Sequence, residues 1–467
     1  MTETELKDLR KQLLLDSKNG YDQLSEAGRA ELETYCKDYL RFVNEAKTER
    51  EAVTWVVDAA RRAGFREYDP TAALTPGDKL YCVNRGKSIS LAVIGKKPLE
   101  DGTRIAAAHI DSPRLDLKPN PLYEDGEMAF FKTHYYGGIK KYQWTTIPLS
   151  LHGILALTDG STLNVTIGED PGDPVFCVTD LLIHLAQEQM KKTLAEGVTG
   201  ENLNILVGSR PLEADDSERD RVKLAVMLLL HEKYGITEED FLSAELCLVP
   251  AMPAREVGFD RSMIGAYGHD DRVCAYACLA PILALEAPEH TAFCLLADKE
   301  EIGSEGVTGM QSEAFEYFMA QLCASTGTDL RRCFANSVCL SADVTAALDP
   351  TYESVFDKHN CARLNYGVSL CKYTGSRGKS GASDAAAEVV ARFRRAFSRA
   401  GVCWQMGELG KVDAGGGGTV AKYMAKRNID TLDAGVPVLS MHAPWEIVGK
   451  LDCYMTMKAY QAFYGME

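Results

Sequence analysis

From residue 246 onward two textures take turns along the chain. A helical pattern near 271–286 precedes the apolar run TAFCLLAD, another near 312–324 precedes SVCLSAD, and a third near 383–400 precedes VCWQMGE. GVPVLSMHAP then leads into a last helix from about 447 to 464. A short strand with no polar side has no face to give to water, so helices must cover the sheet on both faces. The expectation is an α/β sheet of that kind.

The first 65 residues read as helical. In KTEREAVTWVVDAARRAGF, Thr48 and Glu51 stand at capping-box spacing, Val53, Val56, Val57 and Ala60 share one face, and Gly64 can stop the helix. KLYCVNRGKSISLAVIGK reads as two strands around a turn at Arg85-Gly86, and TRIAAAHIDSP as an apolar strand stopped by Pro113. Between 121 and 245 the pattern changes. IPLSLHGILALTDGSTLNVTIG is β-rich with Asp159-Gly160 as a hairpin turn, and helical segments near 178–196 and 218–234 flank the polar loop SRPLEADDSERD. Residues 121–245 read as an inserted domain, leaving 1–120 and 246–467 as one discontinuous domain.

A chain of 467 residues is long enough for two or three such units. Its 67 acidic residues against 51 basic ones give a formal charge of −16, which argues against a nucleic-acid partner, since that needs a cationic footprint. The balance suits an enzyme acting on small molecules or peptides, and it suits acid-rich metal sites. VCAYACLAPILALEA (273–287) is too short to span a bilayer, and MTETELKDLRKQLLL lacks the apolar core of a signal peptide. No membrane partner is expected, and the expected compartment is the cytoplasm. The 14 cysteines are scattered with no C-x-x-C pair, as expected of reduced core thiols.

Polar residues gather where the apolar strands end. His109 and Asp111 follow IAAA, Glu300 and Glu301 follow AFCLLAD, Asp343 follows VCLSA, and His442 follows VPVLSM. Asp270 and Asp271 open the helix that precedes TAFCLLAD. Ligands of open α/β sheets bind beyond the carboxyl ends of the strands. Each of these residues alone reads equally as a cap, a surface ion pair or a solvated turn. Together, two imidazoles and several carboxylates at one sheet edge favour a metal. A pair of divalent ions takes imidazole and carboxylate ligands with one carboxylate shared, and needs a further carboxylate to move the proton of an attacking water. Adjacent glutamates can serve both needs, one as ligand and its neighbour as base.

Seven stretches carry a resemblance along most of the chain: AAAHIDSPRLDLKP, GHDDRVCAYACL, LLADKEEIGSEGVTG, SADVTAALDP, DKHN, GGGGTVAKYMA and MHAPWEIVGKLD. In order and spacing they resemble the aspartyl aminopeptidase and vacuolar aminopeptidase I family, a branch of the co-catalytic dizinc exopeptidases. The resemblance implies a three-layer sandwich with a mixed, mostly parallel central sheet and an inserted β-rich dimerisation domain. It implies two divalent ions per subunit, zinc first, with cobalt or manganese also compatible. By the same resemblance Asp270 bridges the ions through a cis link to Asp271, and His109 and Asp343 hold one ion. Glu301 and His442 hold the other, Asp111 supports His109, and Glu300 is the general base. His184 in LLIHLAQ matches an imidazole that reaches a neighbouring subunit's active site, and Lys358 in DKHN matches a substrate-binding position. The glycine run 415–418 lacks dinucleotide spacing and is expected to line the substrate cleft.

The implied activity is release of N-terminal residues from peptides by a homo-oligomer, a tetrahedral dodecamer built from dimers. The chain departs from the family pattern in Asp271, where Asn is frequent, in His269 before the bridging position, and in A-D-K-E-E around the base. No preference for an acidic N-terminal residue is carried over. A carboxypeptidase or N-deacylase using the same constellation, and an inactive oligomeric scaffold, are the alternatives.

Overall fold

Four parallel strands, Ala292–Ala297, Arg104–His109, Val338–Ser341 and Asp430–Gly435, lie side by side at the centre of a nine-stranded mixed sheet. A computed structural model of the chain describes residues 1–15, 17–213 and 218–466. Ser88–Val93, Lys79–Asn84 and Arg66–Glu67 extend one side of the sheet, Val368–Cys371 and Trp404–Met406 the other. Five of the eight pairings are parallel, so the sheet is mixed and mostly parallel as expected.

The apolar runs have their physical explanation here. Along Ala292–Ala297, Ala292, Cys294 and Leu296 enter one core, while Phe293, Leu295 and Ala297 enter the core on the opposite face. The first core is closed by the helices Glu26–Glu45, Glu49–Arg62, His269–Ala284, Ala387–Arg399 and Lys450–Tyr464. The second is closed by Ala314–Ser325, Leu330–Asn336 and Ala421–Ala425. Both faces of each strand are dry, and a period-2 alternation of polarity has no place to appear.

Local signals act as read. Thr48 and Glu51 form a reciprocal capping box at the start of Glu49–Arg62, Ala52, Val53, Val56, Ala59 and Ala60 are buried, and Val57 lies at the margin. Arg85 and Gly86, both at positive φ, turn the hairpin between Lys79–Asn84 and Ser88–Val93.

A second sheet of seven strands is drawn from Arg114–Asp125, Met128–Tyr136, Leu149–Ala156, Thr162–Ile167, Cys177–Val178, Ile205–Gly208 and Ala244–Pro250. It has its own core around Trp144, Phe131, Leu151 and Leu248, and its first and last strands reach beyond residues 121 and 245. The helix expected near 178–196 does not form. Cys177–Val178 pairs with Ile205–Gly208, and the rest is the short turns Ile183–Leu185 and Gln189–Lys191 and the single helical turn Leu194–Gly197. Leu181, Leu182, Ile183, Leu185, Met190 and Leu194 are all exposed, so no surface of this chain stabilises a helix there. The second expected helix forms as Arg221–Tyr234; residues 214–217 of the preceding polar loop lie outside the described residues.

Two further corrections concern the C-terminal third. Asp430–Gly435, not read as a strand from the sequence, completes the central parallel set. Pro437–Leu439 instead enters a five-stranded sheet with Arg255–Val257, Met263–Ala266, Glu446–Gly449 and Thr345–Ala346. His442 thus reaches the site from the loop that joins two strands of this smaller sheet, Pro437–Leu439 and Glu446–Gly449. Among the described residues no helix is long and apolar enough to cross a membrane.

The helical layer is tied to the second sheet by a buried charge cluster. The His152 Nδ1 lies 2.7 Å from Glu51 Oε1 and its Nε2 3.0 Å from Glu169 Oε1, while the Lys47 ammonium lies 2.7 Å from that same Glu169 oxygen. Burial opposes the imidazolium, but hydrogen bonding to Glu169 and Glu51 outweighs it and raises the His152 pKa. A pKa raised on folding stabilises most below the unfolded value of about 6.5 and fades as pH rises through the folded value. The Tm difference between wild type and His152→Gln should accordingly be larger at pH 6 than at pH 9; a pH-independent difference would contradict this.

Candidate metal centre

Asp270 sits between two imidazoles. The His109 Nε2 lies 3.1 Å from its Oδ1, and the His442 Nε2 lies 3.1 Å from its Oδ2. Behind each imidazole stands another carboxylate: Asp343 Oδ1 is 3.9 Å from His109 Nε2, and Glu301 Oε2 is 3.4 Å from His442 Nε2. The candidate ligand atoms of His109, Asp270 and Asp343 all lie within 4.8 Å of one another, as do those of Asp270, Glu301 and His442. His109, Glu300 and Glu301 form a third overlapping group. The six residues singled out for ligand or base chemistry, five near strand ends and Asp270 at a helix start, are therefore neighbours.

The chain builds this convergence from separate elements. His109 ends Arg104–His109, Glu300 and Glu301 follow Ala292–Ala297, and Asp343 follows Val338–Ser341, so three parallel strands deliver four side chains to one edge. Gly435 lets the neighbouring strand pass close by, since a Cβ there would lie 1.9 Å from the Asp343 carbonyl oxygen. Asp270 opens His269–Ala284, its link to Asp271 is cis, and its carbonyl accepts from the Ser112 hydroxyl at 2.7 Å.

Surrounding groups fix the ligand atoms. The His109 Nδ1 lies 3.3 Å from Asp111 Oδ1, leaving Nε2 directed at Asp270 and Asp343. The His442 Nδ1–H donates to the Gly138 carbonyl at 2.8 Å, which likewise frees its Nε2. Asp111 does more than support His109: its two oxygens accept the backbone N–H groups of Glu300 at 3.1 Å and Glu301 at 3.2 Å, and the Tyr136 hydroxyl at 2.8 Å. Glu446, missed in the sequence reading, accepts the N–H groups of Asp270 at 3.0 Å and His442 at 2.6 Å. A lone acid inside the apolar strand WEIVG was the signal for it.

His269 is not a competing ligand. Its Nδ1 meets the Tyr39 hydroxyl at 2.6 Å and its Nε2 the Ile264 carbonyl at 3.1 Å, so both nitrogens are committed, and burial lowers its pKa to about 3. The Asp271 carboxyl is fully buried, and burial raises its pKa well above the usual carboxylate range.

Electrostatics show what the cluster lacks. Burial, reinforced by the neighbouring Asp270 and Asp271 carboxylates respectively, holds Glu301 and Asp343 well above their ordinary values. Burial pushes Glu300 up to about 7. Burial disfavours charged imidazoles, yet Asp270 and Glu301 push His442 up to about 10, and Asp111 and Asp270 raise His109 well above its ordinary value. Protons are being held to offset crowded negative charge, the role that cations would take. The buried Glu301 Oε1 has no hydrogen-bond partner, and the donor set of imidazole nitrogens and carboxylate oxygens fits zinc-like divalent ions.

The centre opens into a cavity of about 470 Å³ lined also by Tyr373, Leu409, Gly416, Gly417, Gly418, Thr419, Lys422, Tyr423 and Met441. The glycine run borders the cleft as expected. Lys358 does not: it is exposed and paired with Glu353. His184 is exposed on the turn Ile183–Leu185 and is absent from the cavity wall of its own subunit.

The profile of the aminopeptidase I zinc metalloproteases, M18, matches residues 42–464. The chain belongs to the M18 family. A probable M18 family aminopeptidase 1 from Clostridium acetobutylicum is 49% identical over 459 residues, 97% of this chain and 98% of that protein. The crystal structure of an M18 family aminopeptidase from Thermotoga maritima superposes with a TM-score of 0.93 at 44% identity, covering 97% of this chain and 100% of that one. The S. cerevisiae mApe1 dodecamer shares the fold at 19% identity, with a TM-score of 0.74 over 93% of this chain and 97% of that one. M18 membership makes the chain a zinc metallopeptidase, a hydrolase of the aminopeptidase type.

Proposed function

We propose that this M18 protein is a co-catalytic dizinc aminopeptidase with Glu300 as its general base. The observation that carries the reading is Asp270 between two imidazoles, one on each of its oxygens, each imidazole having a further carboxylate beside it. His109, Asp270 and Asp343 hold one ion, and Asp270, Glu301 and His442 the other. When bound, the two ions supply Lewis acidity to the scissile carbonyl and acidify a water.

The remaining work falls to side chains. Glu300 takes a proton from the attacking water and returns it to the leaving amine, a task suited by a carboxyl that burial pushes up to about 7. Asp111 orients His109 and, through two backbone N–H groups, pins the Glu300-Glu301 pair. Glu446 holds the backbone of Asp270 and His442 together.

The exposed apolar strip from Leu181 to Leu194 lies in the inserted unit, and patches of this kind mark interfaces. The proposed assembly is a dimer through this strip, with His184 reaching the partner's cleft, and a tetrahedral dodecamer of such dimers. Sedimentation of wild type as a 51.2 kDa monomer would contradict it. Fourteen unpaired thiols suit the reducing cytoplasm.

The test of the function is amino-acid release from Leu-, Asp- and Lys-initiated peptides, each with a free and an acetylated N-terminus, by zinc-loaded protein. Cleavage of the free forms alone supports the reading. Cleavage of acetylated peptides would replace it with a deacylase or carboxypeptidase.

A further inference from the structure

Lys422 is the only lysine or arginine on the described wall of the catalytic cavity, and its ammonium has no carboxylate partner among the described residues. Its setting is built rather than open. The side chain is half-buried, its Nζ lies 4.8 Å from the centre of the Tyr423 ring, and a Cβ at Gly418 would come within 3.3 Å of that Nζ. The glycine run leaves the room in which the ammonium lies.

Other buried lysines of this chain behave differently. Lys47 meets Glu169, Lys87 meets Glu49, and Lys450 meets Glu33 and Glu256. A buried ammonium without an anion is costly, so the chain pairs each of them. The one carboxylate on the described wall outside the candidate ligand and base residues, Asp433, does not serve Lys422: it is 4% exposed, and its Oδ1 accepts the Thr419 hydroxyl at 2.8 Å. Lys422 thus faces the substrate space with its charge uncompensated.

We infer that Lys422 is a specificity residue of the cleft, whose ammonium receives a carboxylate carried by the peptide close to the scissile bond. This rests on the aminopeptidase reading above. Two parts of a peptide present that chemistry: the side chain of an N-terminal Asp or Glu, and the terminal carboxylate of a dipeptide. A charge-assisted hydrogen bond accounts for about a tenfold to hundredfold selectivity in kcat/KM.

The experiment compares two substrate pairs with zinc-loaded wild type, Lys422→Met and Lys422→Arg. One pair is Glu-Ala-amide against Gln-Ala-amide; the other is Leu-Ala against Leu-Ala-amide. Wild type is expected to favour the carboxylate-bearing member of one pair by about tenfold or more, and that pair identifies the source. Lys422→Met should abolish the preference while still turning over the neutral amides, and Lys422→Arg should retain part of it. The neutral amides report whether each variant is folded and loaded. Wild type without preference in either pair, or a preference that survives in Lys422→Met, overturns the inference and leaves the aminopeptidase reading standing. Wild type that cleaves none of the four overturns both.

Discussion

Replacing Glu300 by Gln is expected to lower kcat by about 10²–10⁴-fold while the protein keeps its zinc. The substitution retains shape and the backbone N–H that donates to Asp111 Oδ1 at 3.1 Å, so the loop stays anchored. What disappears is a carboxylate able to accept a proton, and an amide does not replace it. His109, Asp270, Asp343, Glu301 and His442 remain to hold metal, so the zinc content and the zinc-induced rise in Tm should match wild type. KM should change little, because the loss falls on the chemical step rather than on substrate binding. Activity above a tenth of wild type would remove Glu300 from the role of base, and loss of zinc would make it a ligand instead.

Asp270→Ala should abolish both metal retention and activity. The two imidazoles each face one oxygen of this carboxylate at 3.1 Å, so a single substitution removes an anion from both halves of the centre. Asp343 and Glu301 would remain beside the imidazoles, but neither stands between the two as Asp270 does, at 3.1 Å from each. After dialysis the variant should carry well under one zinc per chain by elemental analysis. Wild type at a free zinc concentration near 100 times its dissociation constant gains about 2.7 kcal/mol of stability, and the variant should show almost none of that gain. A variant that binds as much zinc as wild type would show that Asp270 is not shared between ions.

The site was more legible in the sequence than the frame around it. Strand ends announce themselves when an apolar run stops at an acid or an imidazole, and His109, Glu300, Glu301 and Asp343 all follow such runs. Asp430–Gly435 was missed because DTLDAG breaks its apolar run with Asp433, which turns out to be buried against the Thr419 hydroxyl. The next apolar stretch, Pro437–Leu439, drew the reading and belongs to another sheet. The 178–196 segment misled in the opposite sense. It reads as helical, but a helix needs something to pack against, and its apolar residues point to solvent. Lys422 drew no notice because a lysine becomes informative only when its neighbours are known to leave it unpaired.

Tyr136 ends Met128–Tyr136, a strand of the second sheet, yet its hydroxyl lands on the Asp111 oxygen that also receives the Glu301 N–H. The aspartate that holds the backbone of Glu300 and Glu301 is thereby shared between two structural units. The same strand leads into Gly138, whose carbonyl accepts from the His442 Nδ1–H, so the second sheet touches the site at two points. On the proposed assembly, a subunit docking on this sheet and the turnover of the site are expected to be linked properties rather than independent ones.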